Sequence, residues 1–88
     1  MSTKYSDEQF KSLLDENYSW PAEYIFKFIV PDTEEANLLS ILPKGNVTKR
    51  SSSSGKYTSV TATIKMRSSD EVLQTYKAAS HIKGLISL

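Results

Sequence analysis

The sequence predicts a small α+β protein in which helices cover one face of a four-stranded antiparallel sheet. Three observations predict it: three Ser/Asp-x-x-Gln/Glu helix starts, two segments that alternate between apolar and polar residues, and prolines that separate these segments. At 88 residues the chain has room for one hydrophobic core and little more. Its 39% hydrophobic and 24% charged residues are typical of a globular protein.

The first predicted element is a helix from about Asp7 to Asn17. Ser6 and Gln9 form a capping box at its start, since each side chain can satisfy a free backbone N–H of the other. The apolar residues recur at helical spacing: Phe10, Leu13 and Leu14. Pro21 then takes the chain out of the helix, and we expect Trp20 beside it to anchor the helix to the rest of the protein.

The first strand is predicted from Ala22 to Val30, where bulky side chains alternate. One set should face the core: Tyr24, Phe26, Phe28 and Val30. The other set should face away: Ile25, Lys27 and Ile29. Pro31 ends this strand, and Asp32 with Glu35 is interpreted as a second capping box for a short helix from Ala36 to Leu42.

A β-hairpin is predicted next, with a polar edge strand over Val47–Ser52 and a strand over Lys56–Arg67. The low-complexity segment Ser51–Gly55 should be its loop. Along the second strand one face is apolar: Val60, Ala62, Ile64 and Met66. The other face is mostly polar: Tyr57, Ser59, Thr61, Thr63 and Lys65.

Ser68 with Glu71 is interpreted as a third capping box, for a helix whose apolar stripe is Val72, Leu73, Tyr76 and Ala79. Residues Ile82–Leu88 should form a last strand whose register stays open. The predicted order is an extra N-terminal helix followed by βαββαβ, the ferredoxin-like plait, with two helices on one face of the sheet. We expect residues 1–19 to form an N-terminal helical extension and residues 20–88 to form the plait domain.

The composition argues against catalysis, metal sites and membrane insertion. The chain has no cysteine, which excludes disulfides and thiolate metal ligands and fits a cytoplasmic protein. Its one histidine, His81, has no nucleophile or metal-ligand spacing around it, so we expect it at a helix–strand junction. The acidic clusters Asp7-Glu8 and Asp32–Glu35 lie at predicted helix starts, where carboxylates favour the helix dipole. We therefore expect no enzyme, no cofactor, no metal site and no membrane span.

The sheet face that the plait leaves uncovered is the predicted interaction face, because it would be semi-apolar on a small domain. Its candidate residues are Ile25, Lys27, Ile29, Tyr57, Ser59, Thr61 and Thr63. We expect a non-catalytic module that binds a protein partner or a second copy through this face or an edge strand. The N-terminal helix or a partner could cover the face.

An alternative is weak nucleic-acid or other anion binding through a basic edge. Residues 1–43 carry three lysines against eight carboxylates, whereas residues 44–88 carry eight cations against two carboxylates. The candidate contacts are Lys49, Arg50 and Lys56, with Tyr57 as a stacking ring. One tyrosine and no match to an RNA-recognition motif make nucleic acid the weaker prediction.

Several segments together resemble the YbeD-like family of uncharacterised bacterial proteins. The aromatic-proline pair Trp20-Pro21 opens the first strand, whose centre is Tyr24–Phe28, and the S-x-G-x-Y-x-S-V signature occupies Ser53–Val60. The later helix segment Asp70–Tyr76 is also similar, so the resemblance extends over most of the chain, from about residue 20 to residue 88.

The resemblance implies a ferredoxin-like fold close to the ACT-type regulatory domains, in a family without an established activity. It also implies a regulatory or small-ligand role, sometimes linked to lipoate metabolism. ACT-type domains commonly bind amino acids at the first strand–helix turn, often beside a glycine. The corresponding turn here, Val30-Pro31-Asp32, has no glycine, so no ligand residues are carried over and a small-molecule effector stays open.

Overall fold

The computed structural model describes residues 6–88, and within them three helices and four strands follow one another in an α+β arrangement. The elements are α1 (Asp7–Asn17), β1 (Ala22–Pro31), α2 (Glu35–Ile41), β2 (Asn46–Ser51), β3 (Tyr57–Met66), α3 (Ser69–Ala79) and β4 (Ile86–Ser87). Residues 1–5 of the predicted N-terminal extension lie outside the described residues. The predicted element order is confirmed over the part that the structure describes.

The four strands form one sheet in the order β2-β3-β1-β4, and every neighbouring pair is antiparallel. The central pair, β1 and β3, is in register along its whole length, from Ala22 opposite Met66 to Pro31 opposite Tyr57. The predicted four-stranded antiparallel sheet is therefore confirmed.

The hydrophobic core lies on one face of this sheet. The inward side chains of the two central strands are 0–1% exposed: Phe26, Phe28, Val30, Val60, Ala62, Ile64 and Met66. Each helix adds buried residues to the same cluster: Leu14 from α1, Leu38 from α2, and Val72, Tyr76 and Ala79 from α3. All three helices therefore lie on this face, and α1 does not cover the opposite one.

Helix α1 begins as predicted, because the Ser6 hydroxyl accepts the Gln9 N–H at 3.2 Å and the Gln9 side chain accepts the Ser6 N–H at 3.0 Å. It rests against α3 through Phe10, whose ring meets Tyr76 edge-on at 5.9 Å. Two ion pairs flank that contact: Lys11–Asp70 at 2.9 Å and Asp7–Lys77 at 2.8 Å. The indole N–H of Trp20 donates to Asp15 at 2.8 Å, which confirms the predicted anchoring role of this tryptophan.

The capping box predicted at Asp32 and Glu35 is wrong. Residues Asp32–Glu34 form a 3-10 turn before α2, and neither helix start has a side-chain cap. The buried hydroxyl of Thr58 on β3 instead donates to the Asp32 carboxylate and lies 3.2 Å from Glu35 Oε1. These carboxylates thus satisfy a buried hydroxyl of the sheet rather than the backbone of their own helix.

The third predicted box is half correct. The Ser68 hydroxyl accepts the Glu71 N–H at 3.2 Å, as expected of an N-cap. The Glu71 carboxylate, however, accepts the N–H of Arg67 at 2.8 Å rather than that of Ser68, and it also accepts from the Arg67 guanidinium. The reciprocal bond is therefore shifted by one residue toward the N-terminus.

The predicted last strand is too long. Only Ile86–Ser87 pair with β1, opposite Ile29 and Phe28. The preceding residues form turns, in which the Ile82 N–H donates to the Ala79 carbonyl at 3.0 Å and the Leu85 N–H donates to the Ile82 carbonyl at 3.3 Å. Ile82 and Leu85 use their side chains to pack at the margin of the core.

Candidate interaction face

The face of the sheet opposite the helices is covered by no element among residues 6–88, and we call it the open face. Its members follow from the register, because side chains alternate along a strand and directly paired residues share a face. They are Glu23, Ile25, Lys27 and Ile29 of β1, Tyr57, Ser59, Thr61, Thr63 and Lys65 of β3, Asn46, Thr48 and Arg50 of β2, and Ile86 of β4.

The structure brings all seven predicted interaction residues onto this face. Lys27 is paired with Thr61 at its centre, with Ile29 opposite Ser59 on one side and Ile25 opposite Thr63 on the other. Tyr57 stands at the end of the face, opposite Pro31, with 46% of its surface exposed.

An apolar half of the open face lies along β1 and β4. Ile25 is 55% exposed and Ile86, which pairs with Ile29, is 52% exposed. Leu88 continues the pairing beyond the strand, since its N–H donates to the Lys27 carbonyl at 2.9 Å. The sequence analysis missed Ile86 and Leu88 because the last segment has no long alternation to fix its register, although their two-residue spacing was a usable signal.

The charge of the open face is positive. Lys65 is paired with Glu23 of the neighbouring strand, so these charges offset each other. Lys27 and Arg50 form no salt bridge within residues 6–88. Together with the apolar half, these two cations give the face a mixed apolar and cationic character.

The three predicted anion contacts do not come together. Lys49 is paired with Val60, so its side chain lies on the helix side of the sheet, where its ammonium group contacts Glu35 at 2.7 Å. Arg50 is paired with Ser59 on the open face, and Lys56 lies in the loop before β3. The hydrogen bond from Lys49 lowers the pKa of Glu35 below its ordinary value.

The described residues contain no group of three His, Cys, Asp or Glu side chains placed to hold a metal ion. His81 is exposed in the turn after α3, as expected for a helix–strand junction. The hydroxyl groups of Tyr24 and Tyr76 lie 3.1 Å apart under the helices, and burial raises the pKa of both. Both phenols therefore stay neutral at physiological pH.

The dimensions of the open face bound what it can bind. Two ten-residue strands, at about 3.3 Å per residue and about 4.8 Å between strands, with a shorter strand on each side, span roughly 450 Å². Such a face provides a docking surface of modest area rather than an enclosed site.

A family model described as a protein of unknown function (DUF493) matches residues 15–87. No curated protein and no solved structure matches the chain. In the part of the chain that the structure describes, no helix is long and apolar enough to cross a lipid bilayer.

Proposed function

The chain belongs to the DUF493 family of proteins of unknown function, and from this premise we propose that it is a non-catalytic protein-interaction module that binds an acidic partner through its open face. Membership agrees with the YbeD-like resemblance of the sequence, since the two names denote one family. The observation that carries the proposal is the open face of the sheet, where the exposed side chains of Ile25 and Ile86 lie beside Lys27 and Arg50, two cations that form no salt bridge among residues 6–88.

The fold part of the proposal is a ferredoxin-like βαββαβ plait of the ACT-like kind. The strand order supports it, because β3 lies between β1 and β2 while β1 lies between β3 and β4. At the first strand–helix turn, the backbone N–H of Asp32 already donates to the Lys56 carbonyl at 2.9 Å. Because this N–H is already used within the sheet, the turn does not offer it to a small effector, which favours a protein partner.

The chemistry of the face favours an acidic partner over a second copy. Face-to-face self-association would bring Lys27 and Arg50 of both copies into one interface, and like charges in an interface cost affinity. Either occupant would bury roughly 900 Å² in total, the size of a weak or transient complex, so charge rather than area distinguishes them. A partner that presents carboxylates around apolar residues would meet the same face with complementary charge.

The test compares what matched variants capture from a lysate of the source cells. Ile25→Glu and Lys27→Glu alter the open face, whereas Leu13→Glu on α1 and Lys83→Glu in the turn before β4 make the same changes elsewhere. We expect the two face variants to lose, in quantitative mass spectrometry, proteins that the wild type and both controls retain. Capture by the face variants equal to that by the controls would contradict the proposal.

Light scattering gives an independent readout on self-association. We expect the wild-type protein to remain a monomer at tens of micromolar, because the face is cationic. If it forms a dimer that Ile25→Glu abolishes and Leu13→Glu does not, the occupant of the open face is a second copy, and the acidic partner is wrong.

A second candidate function is weak binding of single-stranded nucleic acid. One observation favours it: Tyr57 and Arg50 lie diagonally across β3 and β2 on the open face, so an exposed ring and a guanidinium are neighbours. Retention on single-stranded RNA at low salt that falls steeply with added salt, and is lost in Tyr57→Ala, would support this function. Absence of retention at low salt would exclude it.

A further inference from the structure

The outer edge of β2 is a second uncovered surface, distinct from the open face. Among residues 6–88, β2 pairs with β3 on one side only, and all six of its residues are exposed. The other edge strand, β4, has two residues. A strand that adds to this sheet therefore has one edge of useful length to pair with.

The hydrogen-bond alternation shows which backbone groups that edge presents. The Ser52 N–H donates to the Tyr57 carbonyl at 2.8 Å, so this pair bonds across the hairpin. In an antiparallel ladder the bonding residues alternate, which directs Thr48 and Arg50 toward β3. The backbone N–H and C=O groups of Val47 and Lys49 consequently point away from the sheet.

From this edge we propose that an extended acidic segment of a partner protein adds to the sheet as a fifth strand beside β2. The outward groups of Val47 and Lys49 would supply its backbone hydrogen bonds. Its alternate carboxylates would lie on the open-face side and meet Arg50, whereas Lys49 on the helix side already pairs with Glu35 at 2.7 Å. β2 itself carries no carboxylate and its Arg50 forms no salt bridge among residues 6–88, so the charge of this edge selects for an acidic strand.

A second copy of the chain does not fit this edge. Edge-to-edge pairing of two β2 strands would bring the cations of both copies into one short interface, and charged residues are a usual way in which an edge strand avoids self-association. β4 has two residues and cannot pair along the full length of β2. The same charges that oppose a second copy favour an acidic segment.

The test uses a capped hexapeptide that alternates glutamate with valine, titrated into the 15N-labelled full chain, with a lysine–valine peptide as its control. We expect the glutamate peptide to shift the amide signals of Val47 and Lys49 at low salt, and the lysine peptide to leave them unchanged. No shift of β2 amides up to millimolar glutamate peptide would overturn the proposal.

Two variants at one position separate backbone pairing from charge. Lys49→Pro removes an outward N–H but no bond of the β2–β3 ladder, whereas Lys49→Gln keeps the N–H and removes the same charge. We expect Lys49→Pro to weaken peptide binding about tenfold, the value of roughly one hydrogen bond, and Lys49→Gln to weaken it about threefold. Equal affinities of the two variants would refute strand addition.

Two further measurements keep the test decisive. If Lys49→Pro does not fold, a glutamate peptide with N-methylated alternate amides replaces it, and undiminished binding of that peptide to the wild type refutes the proposal. Ile25→Glu, which changes the open face, should leave peptide affinity unchanged. Loss of binding in that variant would place the peptide on the open face and overturn the edge assignment.

Discussion

Replacing Gly45 with alanine tests the close approach of the chain to β3 just before β2. A Cβ atom at Gly45 would lie 2.6 Å from the Thr63 carbonyl oxygen and 2.8 Å from Ile64 Cγ1, where ordinary contacts begin at 3.4 Å. The start of β2 must therefore move away from β3, since one of the two clashing atoms belongs to the backbone.

The magnitude follows from two opposing effects. Overpacking of this kind costs about 1–3 kcal/mol, and alanine recovers about 0.4–1 kcal/mol by restricting the unfolded chain. We expect a net destabilisation of about 1–2 kcal/mol for Gly45→Ala, which corresponds to a fall in Tm of roughly 4–16 °C for a chain of this size. Urea unfolding followed by Trp20 fluorescence measures it.

Gly55 provides the matched control, because its backbone needs glycine for a different reason. Its φ is +72°, and a Cβ there meets nothing within 4 Å, so Gly55→Ala should cost about 1 kcal/mol of conformational energy. Asparagine tolerates this conformation, so Gly55→Asn should recover most of that loss, whereas Gly45→Asn should be worse than Gly45→Ala. If Gly45→Asn were as stable as Gly45→Ala, the steric reasoning would be refuted.

Three further outcomes are expected. The backbone N–H of Arg67 and then its guanidinium lower the pKa of Glu71 below its ordinary 4.5. The ionised carboxylate therefore stabilises the fold above that pH, and this stabilisation is lost as pH falls through the lower folded pKa. In urea unfolding from pH 7 to 3, Glu71→Gln should lose less of its free energy of unfolding than the wild type, and an equal loss would contradict the prediction. Burial raises the pKa of Tyr76 above 10. The contribution of the neutral phenol to stability is therefore complete below pH 10 and is lost as pH rises further. The Tm of Tyr76→Phe should change less between pH 9 and 11 than that of the wild type, and an equal change would argue against the prediction. Ile25→Thr, a change on the open face, should alter the free energy of unfolding by no more than about 0.5 kcal/mol, and a loss above 2 kcal/mol in urea unfolding would show that Ile25 has a structural role.

The sheet and its core were predictable because their signal is local. Phe26 and Phe28 on β1, and Val60 and Ile64 on β3, repeat at the two-residue period of a strand with one buried face. That period assigns each side chain to a face without knowledge of the partner strand. The central strands and the seven predicted open-face residues of β1 and β3 followed from it.

The features that were mispredicted depend on contacts between segments far apart in sequence. Asp32 and Glu35 have the spacing of a capping box, but Thr58 from β3 brings a buried hydroxyl to the same carboxylates. The grouping of Lys49 with Arg50 failed for a different reason: they adjoin in sequence, and the alternation of a strand already directs neighbouring side chains to opposite faces of the sheet, as the pairing with β3 shows.

The attachment of α1 has a consequence for how the molecule opens. Leu14 is its one buried residue, and the exposed ion pairs that join it to α3 contribute little to stability and weaken as salt rises. We expect α1 to detach as a local unit well below the free energy of global unfolding, and native-state hydrogen exchange should find its amides exchanging sooner than those of β1 and β3, more so at high salt. Each such opening would uncover the aromatic surface of α3 around Tyr76 while the sheet and its open face stay intact.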